Sequence, residues 1–193
     1  MLVLMVCSVM KIDITNVLTP ILQEQNGWDR TTINTAVSIG GYIAIALGFL
    51  GATLALKKDI KIVSLIGLIG EAVAAFLCAF TNTLPAICVG YALGQAFYPL
   101  CLLSAITYVS RWYMKRRGWA LGIATAALPI TSTIYLSWGS SVVAAVGGRA
   151  TFYGIFGGII ILVAIFEIVF MKTTPEAMAY IRTELFLQKK SLQ

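Results

Sequence analysis

The sequence predicts an all-α membrane protein, a polytopic bundle of six transmembrane helices. Three observations carry that prediction. Hydrophobic residues make up 59% of the 193 and charged residues only 11%, against roughly 45–50% and 25% in soluble domains, and the mean hydropathy is +0.89. Apolar runs recur at a length that suits the ~20 residues needed to cross a hydrocarbon core. They are continuously apolar rather than alternating, so they read as helices that satisfy their own backbone groups and not as barrel strands.

The first expected span, residues 1–22, is apolar from Met1 but carries Lys11 and Asp13. On a helix, Lys11, Asp13, Thr15, Asn16 and Thr19 share a polar arc of roughly 200°, and Pro20 loosens the far end. The second span, 32–56, lies in a stretch free of Asp, Glu, Lys and Arg from Thr31 to Leu56. The third, 62–80, is interrupted only by Glu71. The fourth, 84–110, and the fifth, 119–143, lie within charge-free stretches from Thr81 to Ser110 and from Gly118 to Gly148. The sixth, 151–171, contains Glu167, five residues before Lys172 and able to snorkel toward the interface. These spans make one domain, 1–172, followed by a polar tail, 173–193. The apolar opening lacks a basic n-region and a small-residue cleavage site, so no cleaved signal is expected. Because Met1 leads straight into a span, the coding sequence is expected to start upstream.

Basic residues set the expected orientation. With Met1 starting in the cytoplasm, the inner loops and tail hold Lys57, Lys58, Lys61, Arg111, Lys115, Arg116, Arg117, Lys172, Arg182, Lys189 and Lys190, eleven of the fourteen Lys and Arg. The outer loops hold Arg30 and Arg149. The positive-inside rule then puts both termini in the cytoplasm, in a multi-pass protein of the plasma membrane. This topology accounts for the net charge of +6, so the isoelectric point near 9.3 calls for no nucleic-acid partner.

Several chemistries drop out. The chain has no histidine, and Cys7, Cys78, Cys88 and Cys101 fall in apolar stretches at no metal-ligand spacing, so packed thiols are expected, with no metal and no cofactor. No nucleophile elbow or phosphate loop occurs. An intramembrane enzyme built on Asp13 and Glu71 would need two helices to bring the carboxylates together. The chain is not expected to be an enzyme.

What remains is polar chemistry at membrane depth, where charged side chains are costly and mark pathways. Lys11 and Asp13 either neutralise one another, or belong to a segment that is not fully inserted, or form a substrate or proton site. Glu71 is either a neutral acid hydrogen-bonded between helices or a proton carrier. Gln95, Tyr98 and Pro99 in the fourth span, and Pro129, Thr131, Ser132, Thr133, Tyr135 and Ser137 in the fifth, form polar stripes with possible kinks that suit a substrate site or interhelical hydrogen bonding. Small residues at close spacing, Gly67 with Gly70, Gly90 with Gly94, Gly118 with Gly122, and Gly154 with Gly157 and Gly158, allow close helix approach.

These features, in this order, resemble the N-terminal half of a major facilitator superfamily transporter. The segment Asn26-Gly27-Trp28-Asp29-Arg30-Thr31 resembles the loop opening helix two in the monocarboxylate and oxalate/formate antiporter branch. Gly94-Gln95-Ala96-Phe97-Tyr98-Pro99 and Arg111-Trp112-Tyr113-Met114-Lys115-Arg116-Arg117-Gly118-Trp119-Ala120-Leu121-Gly122 are similar to that branch's helix four and the basic loop into helix five. Gly147-Gly148-Arg149 resembles the start of helix six, and Thr174-Pro175-Glu176-Ala177-Met178 the start of the central loop. The loop between helices two and three departs from the family pattern, with Leu56 at its Asp position and Asp59 at its second Gly.

The resemblance implies a twelve-helix machine of which this chain holds six helices, each half being a 3+3 inverted repeat. It implies transport of a small organic anion such as a monocarboxylate by alternating access. Lys11, Asn16, Gln95 and Tyr98 would contact the substrate, Asp13 and Glu71 would carry protons as the coupling ion, and Lys57, Lys58, Arg111 and Arg116 would serve the inner gate. The expected partners are the solute, the bilayer, and the missing C-terminal half or a second copy. A half-size self-associating transporter and a non-transporting scaffold or sensor subunit are the alternatives.

Overall fold

The computed structural model describes residues 2–8, 14–57, 59–113 and 116–170. The described residues form an all-α bundle: α1 Leu2–Ser8, α2 Ile14–Asn26, α3 Arg30–Lys57, α4 Ile60–Phe80, α5 Leu84–Trp112, α6 Arg117–Ala145 and α7 Arg149–Phe170. Helices α3 to α7 are each long and apolar enough to cross a membrane. The expected first span lies only partly within the described residues. Its described residues fall in α1 and α2, of 7 and 13 residues, which rise only about 10 and 20 Å at 1.5 Å per residue. Neither piece is long enough to cross by itself, and residues 9–13 between them lie outside the described residues, which hold five candidate spans.

Local chemistry explains the helix ends. Gly27 closes α2 at φ 67°, in the left-handed region, with its N–H donating to the Gln23 carbonyl at 2.9 Å. Gly147 and Gly148, at φ 88° and 105°, turn the chain from α6 into α7. Asp59 caps α4 by accepting from the Lys61 N–H. Pro85 stands in the first turn of α5, where a missing N–H costs nothing. Pro99 and Pro129 sit inside α5 and α6, which continue as unbroken helices through them.

Helices α4 and α5 form the centre. Helix α3 lies against one side of α5, and α7 lies against α4. The fits depend on small residues. A Cβ on Gly40 of α3 would collide with the backbone of Ala92 on α5, and one on Gly67 of α4 would collide with the Cys101 thiol. A Cβ on Gly90 of α5 would meet Cys78 of α4. The two backbones can approach this closely only because no side chain intervenes. Gly118, Gly122, Gly154 and Gly158, by contrast, have open space where a Cβ would go, so these glycines mediate no close approach among the described residues.

The main core joins Cys7 of α1, Leu18 and Leu22 of α2, Ile33 of α3, Leu68 and Ala75 of α4, Tyr91 of α5, Val143 of α6 and Tyr153 of α7. Helices α3 and α6 bury little of themselves against the rest. Phe49 and Trp138, for example, are 73% and 68% exposed.

Candidate functional site

Helix α5 carries the expected substrate residues Gln95 and Tyr98 three positions apart, hence on one face. Both are largely buried, and both line a groove of about 530 Å³ between α3 and α5. Its opposite wall is built from small residues of α3, Gly41, Ala44, Gly48 and Ala52, with Ile45 and Phe49 between them. Small residues on α3 make the space and α5 supplies its polar groups. Such a site orients a small solute by hydrogen bonds within apolar walls. Among its lining residues none is charged.

The other expected residues disperse. Asn16 is exposed on α2 and does not line the groove. Lys11, Asp13 and Lys58 lie outside the described residues, and of Lys57 only the helical backbone is described.

Glu71 lies behind α5 rather than in the groove. Its side chain is fully buried, with neither carboxyl oxygen hydrogen-bonded among the described residues. It shares this junction of α1, α4 and α5 with the Cys7 and Cys101 thiols. A buried polar group without a partner is expensive. Among the described residues no group supplies the interhelical hydrogen bond expected of a neutral structural glutamate.

Glu167 corrects another expectation. It does not snorkel: only 4% exposed, it accepts a hydrogen bond at 3.0 Å from the Ser64 hydroxyl across the α4–α7 interface. In the polar stripe of α6, Thr131 and Thr133 turn their hydroxyls onto the Ala127 and Pro129 carbonyls of their own helix. Intrahelical bonding of this kind satisfies a hydroxyl without any neighbour.

Basic residues at the helix ends do more than set charge. The Arg149 guanidinium donates to the Cys78 carbonyl at 2.9 Å and the Thr81 carbonyl at 3.1 Å, and also bonds Asn82 Oδ1, closing the C-terminus of α4. At the opposite end Lys61 Nζ donates to the Ile168 carbonyl at 2.6 Å, near the C-terminus of α7. Each antiparallel helix thus places a cation on the other's last turn, where the exposed carbonyls and the helix dipole favour positive charge. Arg111 of α5 reaches the Ala55 carbonyl near the end of α3 at 3.3 Å in the same manner. Arg116, also expected at the gate, is exposed just before α6. Sequence reading missed this capping role, although Gly147-Gly148-Arg149 marked one of the positions.

The family model of the Major Facilitator Superfamily matches residues 1–189. The chain belongs to this superfamily. A comparison with the curated proteins finds no match. Major facilitator proteins are transporters rather than enzymes and move small solutes across a lipid bilayer, which makes this chain an integral, multi-pass membrane transport protein. Within a major facilitator bundle, the groove that holds Gln95 and Tyr98 is the candidate solute contact.

Proposed function

We propose that this chain is the N-terminal six-helix half of a secondary active transporter that moves a small organic anion, a monocarboxylate in the simplest case, by alternating access. The observation that carries the reading is the convergence of Gln95 and Tyr98 on one groove between α3 and α5. Among the described residues no charged side chain lines that groove, and the countercharge for an anion is assigned to Lys11 in the first span, with Asn16 as a further hydrogen-bonding contact. Asp13 and the buried Glu71 are the proton carriers. An isolated buried carboxyl is suited to gaining and losing a proton as the helices around it move.

Lys57, Lys58, Arg111 and Arg116 act at the cytoplasmic gate, in a plasma-membrane protein with both termini inside. Support comes from the Arg111 contact to the Ala55 carbonyl, which ties α5 to α3 at the end of the groove and has to break if that end is to open. The sparse burial of α3 and α6 favours a partner surface, either the second six-helix half or, in a half-size transporter, a second copy.

Uptake of labelled short-chain carboxylates into proteoliposomes tests the reading. Lys11→Ala is expected to reduce uptake at least about tenfold, the effect of losing one charge-assisted hydrogen bond. Uptake of every transported anion at the wild-type rate would refute the anion assignment. Cross-linking in membranes separates the assemblies, since a strictly monomeric active chain rules out the self-associating form.

A further inference from the structure

A second concavity lies on the α4–α7 face, away from the Gln95–Tyr98 groove. It has a volume of about 350 Å³ and an entirely apolar surface. Ala72 and Ala164 give it depth, since larger side chains at those positions would fill it, and the exposed Ile69, Val73 and Ile165 form its rim. Along α4 the groove runs from Leu65 to Phe76, about 16 Å at 1.5 Å per residue. Leu65 and Phe76 stand almost equally far from the two ends of α4, Ile60 and Phe80, so the groove is centred on the middle of that span. The ring of Phe76 closes the end away from Lys61, seated where a Cβ on Gly157 would come within 3.1 Å of it.

The other end opens at a cation. Lys61 stands one turn before Leu65, and its ammonium donates to the carbonyl of Ile168, itself a lining residue. An ammonium has three donors, so the Ile168 bond leaves others for a ligand. Two carboxylates are near. Glu167 is directed inward onto Ser64, and Asp59 accepts from the Lys61 backbone N–H as the cap of α4.

We infer that this groove holds one acyl chain of an anionic phospholipid from the leaflet on the Lys61 side, with the lipid phosphate at Lys61 Nζ. The apolar surface of the groove selects hydrocarbon, and the ammonium at its mouth selects negative charge. The site is independent of the transport reading and of which membrane face Lys61 occupies.

Native mass spectrometry of the full chain in mild detergent tests this, with phosphatidylglycerol and phosphatidylcholine of identical acyl chains as probes. Wild-type protein is expected to retain phosphatidylglycerol over phosphatidylcholine by about fivefold, the effect of one basic residue facing an anionic headgroup. Lys61→Gln should remove the preference and Lys61→Arg restore it. Val73→Trp starts from an exposed rim position, so its bulk enters the groove without disturbing the core; it should displace both lipids. Val89→Trp, at an exposed position on α5, should displace neither. Equal retention of the two lipids by the wild type, an unchanged preference in Lys61→Gln, or normal lipid retention in Val73→Trp would overturn the inference. So would efficient cross-linking of Ile69→Cys to a second copy, which would assign the groove to a protein contact.

Discussion

Arg149 offers the sharpest test of how this bundle is held together. Truncation to alanine removes hydrogen bonds to the Cys78 and Thr81 carbonyls and to Asn82, and leaves the C-terminal carbonyls of α4 without their donor. A net hydrogen bond contributes about 1 kcal/mol in proteins generally and averages about 0.6 kcal/mol between membrane helices. A cation at a helix C-terminus adds about 0.3–1 kcal/mol. Three bonds plus the charge give an expected loss of about 2–4 kcal/mol for Arg149→Ala. Arg149→Lys keeps the charge but not the planar fork that engages several acceptors at once, and should lose about half as much. The protein carries its own reporters, because Cys7, Cys78 and Cys101 are buried while Cys88 is half-buried. In a Cys88→Ser background, a thiol-reactive fluorogenic dye added along a denaturant series reads the unfolding midpoint directly. An Arg149→Ala midpoint equal to wild type would refute the capping argument. A lysine variant as stable as arginine would show that charge alone suffices.

Four further outcomes are expected. Lys61→Met removes the single bond at the other end of the α4–α7 pair and should cost only about 0.5–1 kcal/mol; combined with Arg149→Ala the losses should add, since the sites lie at opposite ends of α4. Gly40→Ala drives a methyl into the Ala92 backbone and should destabilise by about 1–3 kcal/mol, whereas Gly41→Ala, with nothing within 4 Å, should change the same midpoint little. Glu71→Gln should leave stability within about 1 kcal/mol, because no described group bonds the carboxyl, yet abolish proton-driven accumulation while sparing exchange; accumulation under an imposed pH gradient at the wild-type level would exclude Glu71 from coupling. Gln95→Leu and Tyr98→Phe should each raise the KM for uptake about five- to tenfold, the value of one hydrogen bond to solute, and an unchanged KM in both would remove the groove from the substrate path.

Sequence reading succeeded where a signal was regional and failed where it depended on a neighbour. Helices α3 to α7 announce themselves through long apolar runs, and Gln95 and Tyr98 could be paired by helical spacing alone. The expected first span is described only in part, as α1 and α2. Glu167 illustrates a miss: one turn from the end of a span it looks free to reach the interface, and only the position of Ser64 on another helix explains its burial. Glycine spacing was equally ambiguous. Gly90 and Gly118 each begin a G-x-x-x-G, but the first faces Cys78 and the second faces open space. Gly40, whose close approach to Ala92 is among the tightest helix contacts, belongs to none of the spacings that drew attention.

The reciprocal contacts of Arg149 and Lys61 also constrain motion. Each helix clasps the end of the other, and Ser64 and Glu167 add a crosspiece nearer the Lys61 end. Sliding one helix along the other would strain a clasp at one end or the other, so α4 and α7 are expected to travel as a single plate. Mobility is left to the loosely held flank, α6. Two positive charges then keep a fixed separation across most of the bilayer, so a tilt of the plate carries them together and moves little net charge through the membrane field.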